Sequence, residues 1–527
     1  MSADPPPNSM SSSRQAVPGV AAFVALASVC TALFSALWLV EYGMVSPLAV
    51  WTAPEATDTL TSFAEVTVGV LGVAITVVAI IVELAANRYT PRITELFVRD
   101  PVNVAVMGYF VVTSVLVLWI DLSLYGPHHP AGMALAAAAL MSVSLVALLP
   151  YFAYVFHFLT PAEVIRRIQQ GGASELVALS RGRGDVTTAR RAAVRTVEQL
   201  GDIAMASVDK KDKPLTLAAV EALAEVAHEA IRVKSGIPEH YFDTAPLVRH
   251  DQDFIALHPD MVRALTSRKT WVEMKVLRQY QAVFGEAVNK MRDVNHLIAI
   301  HTRRIAATAL RQGDRHSLRL SVRFLNTYLR ATINARDVRS AYNLLNEYRV
   351  LAEEALTGGE HQLVLDLAEY IKFYGQLAFN MNLAFLLETA AYDLCTLLER
   401  ASEGPAPCHD ELLTVFLDVD REPEADANSQ EASLRGVRKA QIKLATHYLA
   451  TARVDEARRI FHDMQAEKPE RMRSIRAELE RVEEAEYWEV SDRGINFEWL
   501  APERRAQLDT FFGWFGPSSP SAPSTSP

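Results

Sequence analysis

The chain reads as all-α: a four-helix transmembrane domain followed by a cytoplasmic helical, solenoid-like (tetratricopeptide-like) domain. Three observations predict this. Four apolar segments follow one another before residue 160, and each approaches or exceeds the ~20 residues that carry a helix across a ~30 Å hydrocarbon layer. From Ala162 onward apolar residues recur at helical spacing almost everywhere, and no run reads convincingly as a strand. Near the end, "LATHYLATARVDEARRIFHDMQAEKP" carries the spacing of a tetratricopeptide repeat.

Composition narrows the function classes. At 527 residues the chain is longer than one ordinary domain. A net charge of -10 argues against a nucleic-acid surface as the main role, because phosphate contacts need clustered Lys and Arg. Three scattered cysteines, Cys30, Cys395 and Cys408, make neither a disulfide framework nor a zinc site.

Residues 1–17 are rich in Pro and Ser and read as a disordered tail. The transmembrane domain, 18–160, holds spans at about 18–38, 63–86, 104–124 and 133–158. Arg88, Arg92 and Arg99 lie between the second and third, and Arg166, Arg167, Arg181 and Arg183 follow the fourth, whereas the other two connections carry no Lys or Arg. Positive charge in short loops marks the cytoplasmic side. Both termini are therefore expected in the cytoplasm, and Arg88, Tyr89, Thr90, Pro91 and Arg92 read as a cytoplasmic membrane-exit motif, since Pro91 resists continuation of the helix. Tyr151, Tyr154 and His157 suit an inner headgroup level, and Pro150 predicts a kink in the fourth span.

On the second span Glu65, Gly69, Gly72, Thr76, Ala79 and Glu83 recur at three- and four-residue steps and share a face. Small residues let another helix approach, so a packing face is expected, within the chain or between subunits. The sharper reading is a pore face lined by Glu65 and Glu83. Both glutamates lie roughly 10–15 Å from the centre of the span, where snorkelling is cheap.

"GVAITVVAIIVELAANRYTPRITELFVRDPVNVAVMGYFV" resembles the bacterial predicted membrane proteins grouped as domain of unknown function twenty-two fifty-four. The resemblance rests on Thr90-Pro91-Arg92, Phe97-Val98-Arg99-Asp100 and Gly108-Tyr109-Phe110. A second echo lies at 200–223, and the likeness covers roughly residues 20–230. It implies an envelope-membrane location, here the bacterial plasma (inner) membrane, and supplies no activity.

A helical juxtamembrane region is expected at 161–270, its 240–269 stretch irregular or holding a short strand pair. The helical-repeat domain follows at 271–515, with helices at about 271–312, 316–333, 337–356, 362–380, 384–401, 438–452, 454–467 and 470–490. Leu444, Ala445, Tyr448, Ala457, Phe461 and Pro469 carry the tetratricopeptide pattern: small residues let two helices cross and aromatics fill the gap. Such units stack because none buries its apolar face alone. In "NARDVRSAYNLLNEYR", Arg336, Arg339, Asn343 and Asn346 form either a solvated face or a ligand-binding face for an acidic peptide or anion. Trp499, Phe511, Phe512, Trp514 and Phe515 would cap the last repeat or touch the membrane, and 516–527 is a tail.

No His-Glu-x-x-His pair, phosphate loop or nucleophile elbow occurs. The chain is not read as an enzyme, and no catalytic residue, metal or cofactor is assigned. The expected partners are the lipid bilayer, a cytoplasmic protein and further copies of the chain, with nucleic acid excluded. The role expected is that of a scaffold or sensor, with an oligomeric ion channel or transporter as the alternative.

Overall fold

The computed structural model describes residues 53–88, 93–124, 131–248, 251–420, 427–486, 492–494 and 496–515. Among these every regular element is helical. The chain divides into two compact units, Met1–Ile168 and Gln169–Pro527.

The first unit contains α1 (Ala53–Arg88), α2 (Ile93–Val98), α3 (Pro101–Leu124), α4 (Ala131–Phe158) and the start of α5 (Pro161–Ser180), within which the boundary falls. Against the four spans expected, two apolar stretches among the described residues, Thr61–Asn87 and Ala137–Phe158, are long enough to cross a membrane, and that of α3, Pro101–Val115, is shorter. The expected span at 18–38 lies outside the described residues. Helix α4 continues through Pro150 to Phe158. Thr67, Leu71, Ala74, Val78, Val82 and Ala86 of α1 are buried, one residue per turn, against α3 and α4. The outer faces present Val66, Val73, Ile80, Leu84, Val111, Val112 and Leu149. Large apolar side chains facing outward suit a hydrocarbon surrounding.

In the second unit α6 (Val186–Asp209) and α7 (Lys213–Val233) form the first hairpin, followed by short helical turns, α8 (Pro259–Arg268) and α9 (Trp271–Ala287). The stretch expected to be irregular or stranded holds those short turns. Then come α10 (Arg292–Arg311), α11 (Arg315–Asn334), α12 (Val338–Thr357), α13 (His361–Asn380), α14 (Ala384–Ser402), α15 (His409–Leu417), α16 (Ala427–Ala450), α17 (Val454–Asp463) and α18 (Pro469–Arg481). The helix expected at 271–312 is two helices, broken where Asn289 adopts φ 62°. Helices α7, α10, α12, α14 and α16 form one row, each packed on the next; α11, α13 and α15 form part of a second row behind it.

One turn geometry builds the repeat. At Lys211, Gly313, Arg336, Gly359, Asn382 and Ala452 the backbone is left-handed, with φ between 54° and 74°. The next residue's N–H returns to a carbonyl five residues earlier: Asp212 to Ser207, Asp314 to Ala309, Asp337 to Thr332, Glu360 to Ala355, Leu383 to Ala378 and Arg453 to Tyr448. This closure satisfies the last carbonyls of the outgoing helix. Asp212, Asp314 and Asp337 then cap the incoming helix by accepting from the N–H groups of Leu215, Ser317 and Ser340. Positions 313, 336, 359 and 382 are spaced 23 apart, so a central hairpin occupies 46 residues, longer than the ~34 of a tetratricopeptide unit. The tetratricopeptide positions fall on the terminal hairpin, where Leu444, Ala445, Tyr448 and Ala457 are fully buried and Pro469 opens α18.

Candidate functional site

The row face of α12, α14 and α16 holds a strap whose described residues are 492–494 and 496–500 of the same chain. Asp492 accepts from Arg339 Nε and Nη2 at 2.8 and 2.7 Å and from Asn343 Nδ2 at 2.9 Å. The Arg339 guanidinium holds the Asp492 carboxyl well below its ordinary value, at about 2. Arg493 donates through Nη1 to Asp393 Oδ1 at 2.7 Å and through Nη2 to the Tyr342 carbonyl, and its guanidinium lies 4.0 Å from the centre of the Tyr342 ring. Phe497 stacks on Tyr392 with ring centres 5.0 Å apart and meets Tyr342 edge-on. Its carbonyl accepts from Lys443 at 2.8 Å, and Glu498 accepts from Lys439 at 2.7 Å. Leu500 is buried. Farther on, Arg504 donates to Glu399, and Trp514 and Phe515, themselves packed on Phe511, cover Phe461 on the terminal hairpin.

The proposed ligand face is thus split. Arg339 and Asn343 come together on Asp492. Asn346 instead accepts from Arg349 and donates to Glu347, and Arg336 is exposed in the left-handed turn before Asp337. Sequence reasoning missed Tyr342, Asp393, Tyr392, Lys439 and Lys443 as contacts. Their common signal is aromatic and charged residues on α12, α14 and α16, and nothing local joins those helices to residues 492–500.

In the first unit a polar cluster centres on Asp100, which is buried and caps α3 by accepting from the N–H groups of Val102 and Asn103. Tyr154 donates to the same oxygen, Oδ2, and Arg167 Nη1 reaches Oδ1 at 2.6 Å. Arg167 Nε also donates to Glu163 at 2.7 Å, and its guanidinium lies 4.3 Å from the Phe158 ring centre. Tyr151 donates to Asn103 Oδ1 at 2.5 Å. Tyr151 and Tyr154, expected at a headgroup level, are therefore buried, because the Asp100 and Asn103 side chains need their hydroxyls; His157 is exposed.

Glu65, Gly69, Gly72, Thr76 and Glu83 all lie on the face of α1 that the other described residues leave uncovered. A Cβ on either glycine would meet none of the described residues within 4 Å. Thr76 donates to the Gly72 carbonyl of its own helix. Tyr89, Thr90, Pro91 and Arg92 lie outside the described residues, and Arg88 ends α1.

Residues 14–230 match the family model "Predicted membrane protein (DUF2254)". The Asp100 cluster, α1, α3 and α4 all fall inside that match. Among solved structures, a "Circular tandem repeat protein with novel repeat topology and enhanced subunit contact surfaces" aligns with 81% of this chain and 98% of its own, at 14% identity and a TM-score of 0.31. No curated protein matches the chain.

Proposed function

We propose that this is an integral protein of a bacterial plasma membrane that presents its helical repeats to cytoplasmic proteins as a scaffold or sensor. It crosses the bilayer four times, with both termini inside. The observation that carries the protein-binding reading is the row face itself, which seats a nonhelical segment through side-chain contacts from three successive repeats. In this segment the Asn496 N–H donates to the Ala485 carbonyl and the Trp499 N–H to the Asn496 carbonyl, both within the C-terminal part of the chain. Side-chain recognition of a nonhelical segment is how a helical-repeat face selects a peptide. Phe385, stacked on Tyr342 and 49% exposed, stands on this face. A photo-crosslinking residue at 385 of the full chain in living cells is expected to give a discrete protein adduct that the same residue at Ile255 does not. Equal or absent adducts at the two positions would remove the reading. Topology is tested by a reporter after residue 162, expected to be active only inside the cell.

The Glu65, Gly69, Gly72, Thr76 and Glu83 face, which the other described residues leave uncovered, supports a second reading, in which copies of α1 assemble and border a conduction path. Reconstituted protein would then conduct, with Glu83→Gln altering selectivity; silent bilayers would end it.

A further inference from the structure

The geometry points to the row face of α12, α14 and α16 as a binding site for a second polypeptide bearing an Asp-Arg pair followed four residues later by an aromatic-acidic pair, a site that the chain's own strap occupies in cis. This rests on the protein-binding reading above and adds the chemistry of the partner.

Three features of the strap carry it. Recognition is graded along the segment: an acid on Arg339 and Asn343, a guanidinium on Asp393 and Tyr342, an aromatic ring on Tyr392, an acid on Lys439. Each anchor is a side chain that a peptide of that pattern, taking the same turns, would supply. The second feature is an imperfect fit. Asp393 is 1% exposed, yet its Oδ2 has no partner, while Oδ1 serves both Arg493 Nη1 and Arg349 Nε. Arg493 Nε is equally buried and unpartnered. A carboxylate and a guanidinium can form two parallel bonds; here one is unmade, Arg493 Nη2 being turned to the Tyr342 carbonyl, so the strap does not saturate the site. Third, the strap belongs to the same chain and so meets the face as an intramolecular ligand, against which a peptide in trans competes with an effective concentration of roughly millimolar. A competing peptide therefore binds the intact chain weakly and binds it well once the strap is loosened.

The test uses full-length protein in detergent and a fluorescein-labelled peptide of residues 490–502, VSDRGINFEWLAP, read by anisotropy. The double variant Asp492→Ala/Arg493→Ala is expected to bind the peptide at least ten-fold more tightly than the unaltered chain. Adding Asp393→Asn to that variant, or replacing Asp and Arg of the peptide by Ala, is expected to reverse the gain. No gain, or a gain indifferent to both changes, overturns the proposal. Should the variant lose helix by circular dichroism, hydrogen exchange of the unaltered chain decides: millimolar peptide must speed exchange at residues 496–500 without changing α7, and unchanged exchange overturns the proposal. Failure here is separable from failure of the broader reading, since a cross-linked partner at residue 385 would survive it.

Discussion

His228 of α7 and His301 of α10 should make the repeat domain lose stability as pH falls below neutrality. Both rings are buried, at 8% and 4% exposure, and neither Nδ1 has a partner. Burial pushes both down from 6.5 to about 4, assisted at His228 by Arg232, Arg311 and Arg304 and at His301 by Arg304 and His228. The unfolded chain, with ordinary imidazoles, binds more protons than the folded one between those values, so stability is full above pH 6.5 and declines as pH falls toward 4. For one such group the loss at pH 5 is about 2 kcal/mol, and for the pair about 4 kcal/mol. Asp420, pushed up to about 6 by burial, acts in the opposite sense. A comparison with His228→Gln/His301→Gln, which keeps Asp420, isolates the imidazoles. The assay is hydrogen exchange of the α7 and α10 amides of the full-length protein in detergent from pH 7.5 to 5, corrected for intrinsic exchange. The expected result is a protection free energy that falls in the unaltered chain and is flatter in the double variant. Equal slopes in the two proteins would refute the argument.

Three further outcomes follow from buried groups. Lys275, 1% exposed, is held by Asp251 and Asp253 at 2.7 and 2.8 Å; Lys275→Met leaves two carboxylates without their cation and should cost about 3–5 kcal/mol in denaturant unfolding. Gly375→Ala would set its Cβ 2.8 Å from that of Ala390 and should destabilise the α13–α14 hairpin by about 1–3 kcal/mol, seen as a lower Tm. Asp100→Ala removes the α3 cap and the acceptor for Tyr154 and Arg167, and should cost about 1–3 kcal/mol in detergent stability, whereas Tyr154→Phe should cost less because the cap remains.

Much of the fold was legible because its causes are local. The helices from Arg315 to Ser402 lie within a residue or two of their expected bounds, since apolar spacing and a capping Asp act over one or two turns. The 23-residue repeat escaped notice because the left-handed position is Gly, Arg, Gly and then Asn, so the backbone repeats where the side chains do not. Arg339 and Asn343 were singled out for their directional hydrogen bonds, and the acidic group they hold was supplied by the chain itself.

By itself the amino-acid sequence determined the apolar helices long enough for a bilayer, the change to charged amphipathic helices after Ala162, and the turns that punctuate them. Each follows from transfer energies and backbone preferences that neighbouring residues settle among themselves. Only the tertiary structure decided that Asp492 lies on Arg339, 153 positions away, that Tyr154 reaches back to Asp100, and that α1 buries Leu71 and Val78 against the described helices rather than the Gly69 and Gly72 face. Those pairings depend on which surfaces packing brings together, and a helix with apolar residues on most of its faces does not specify which one turns inward.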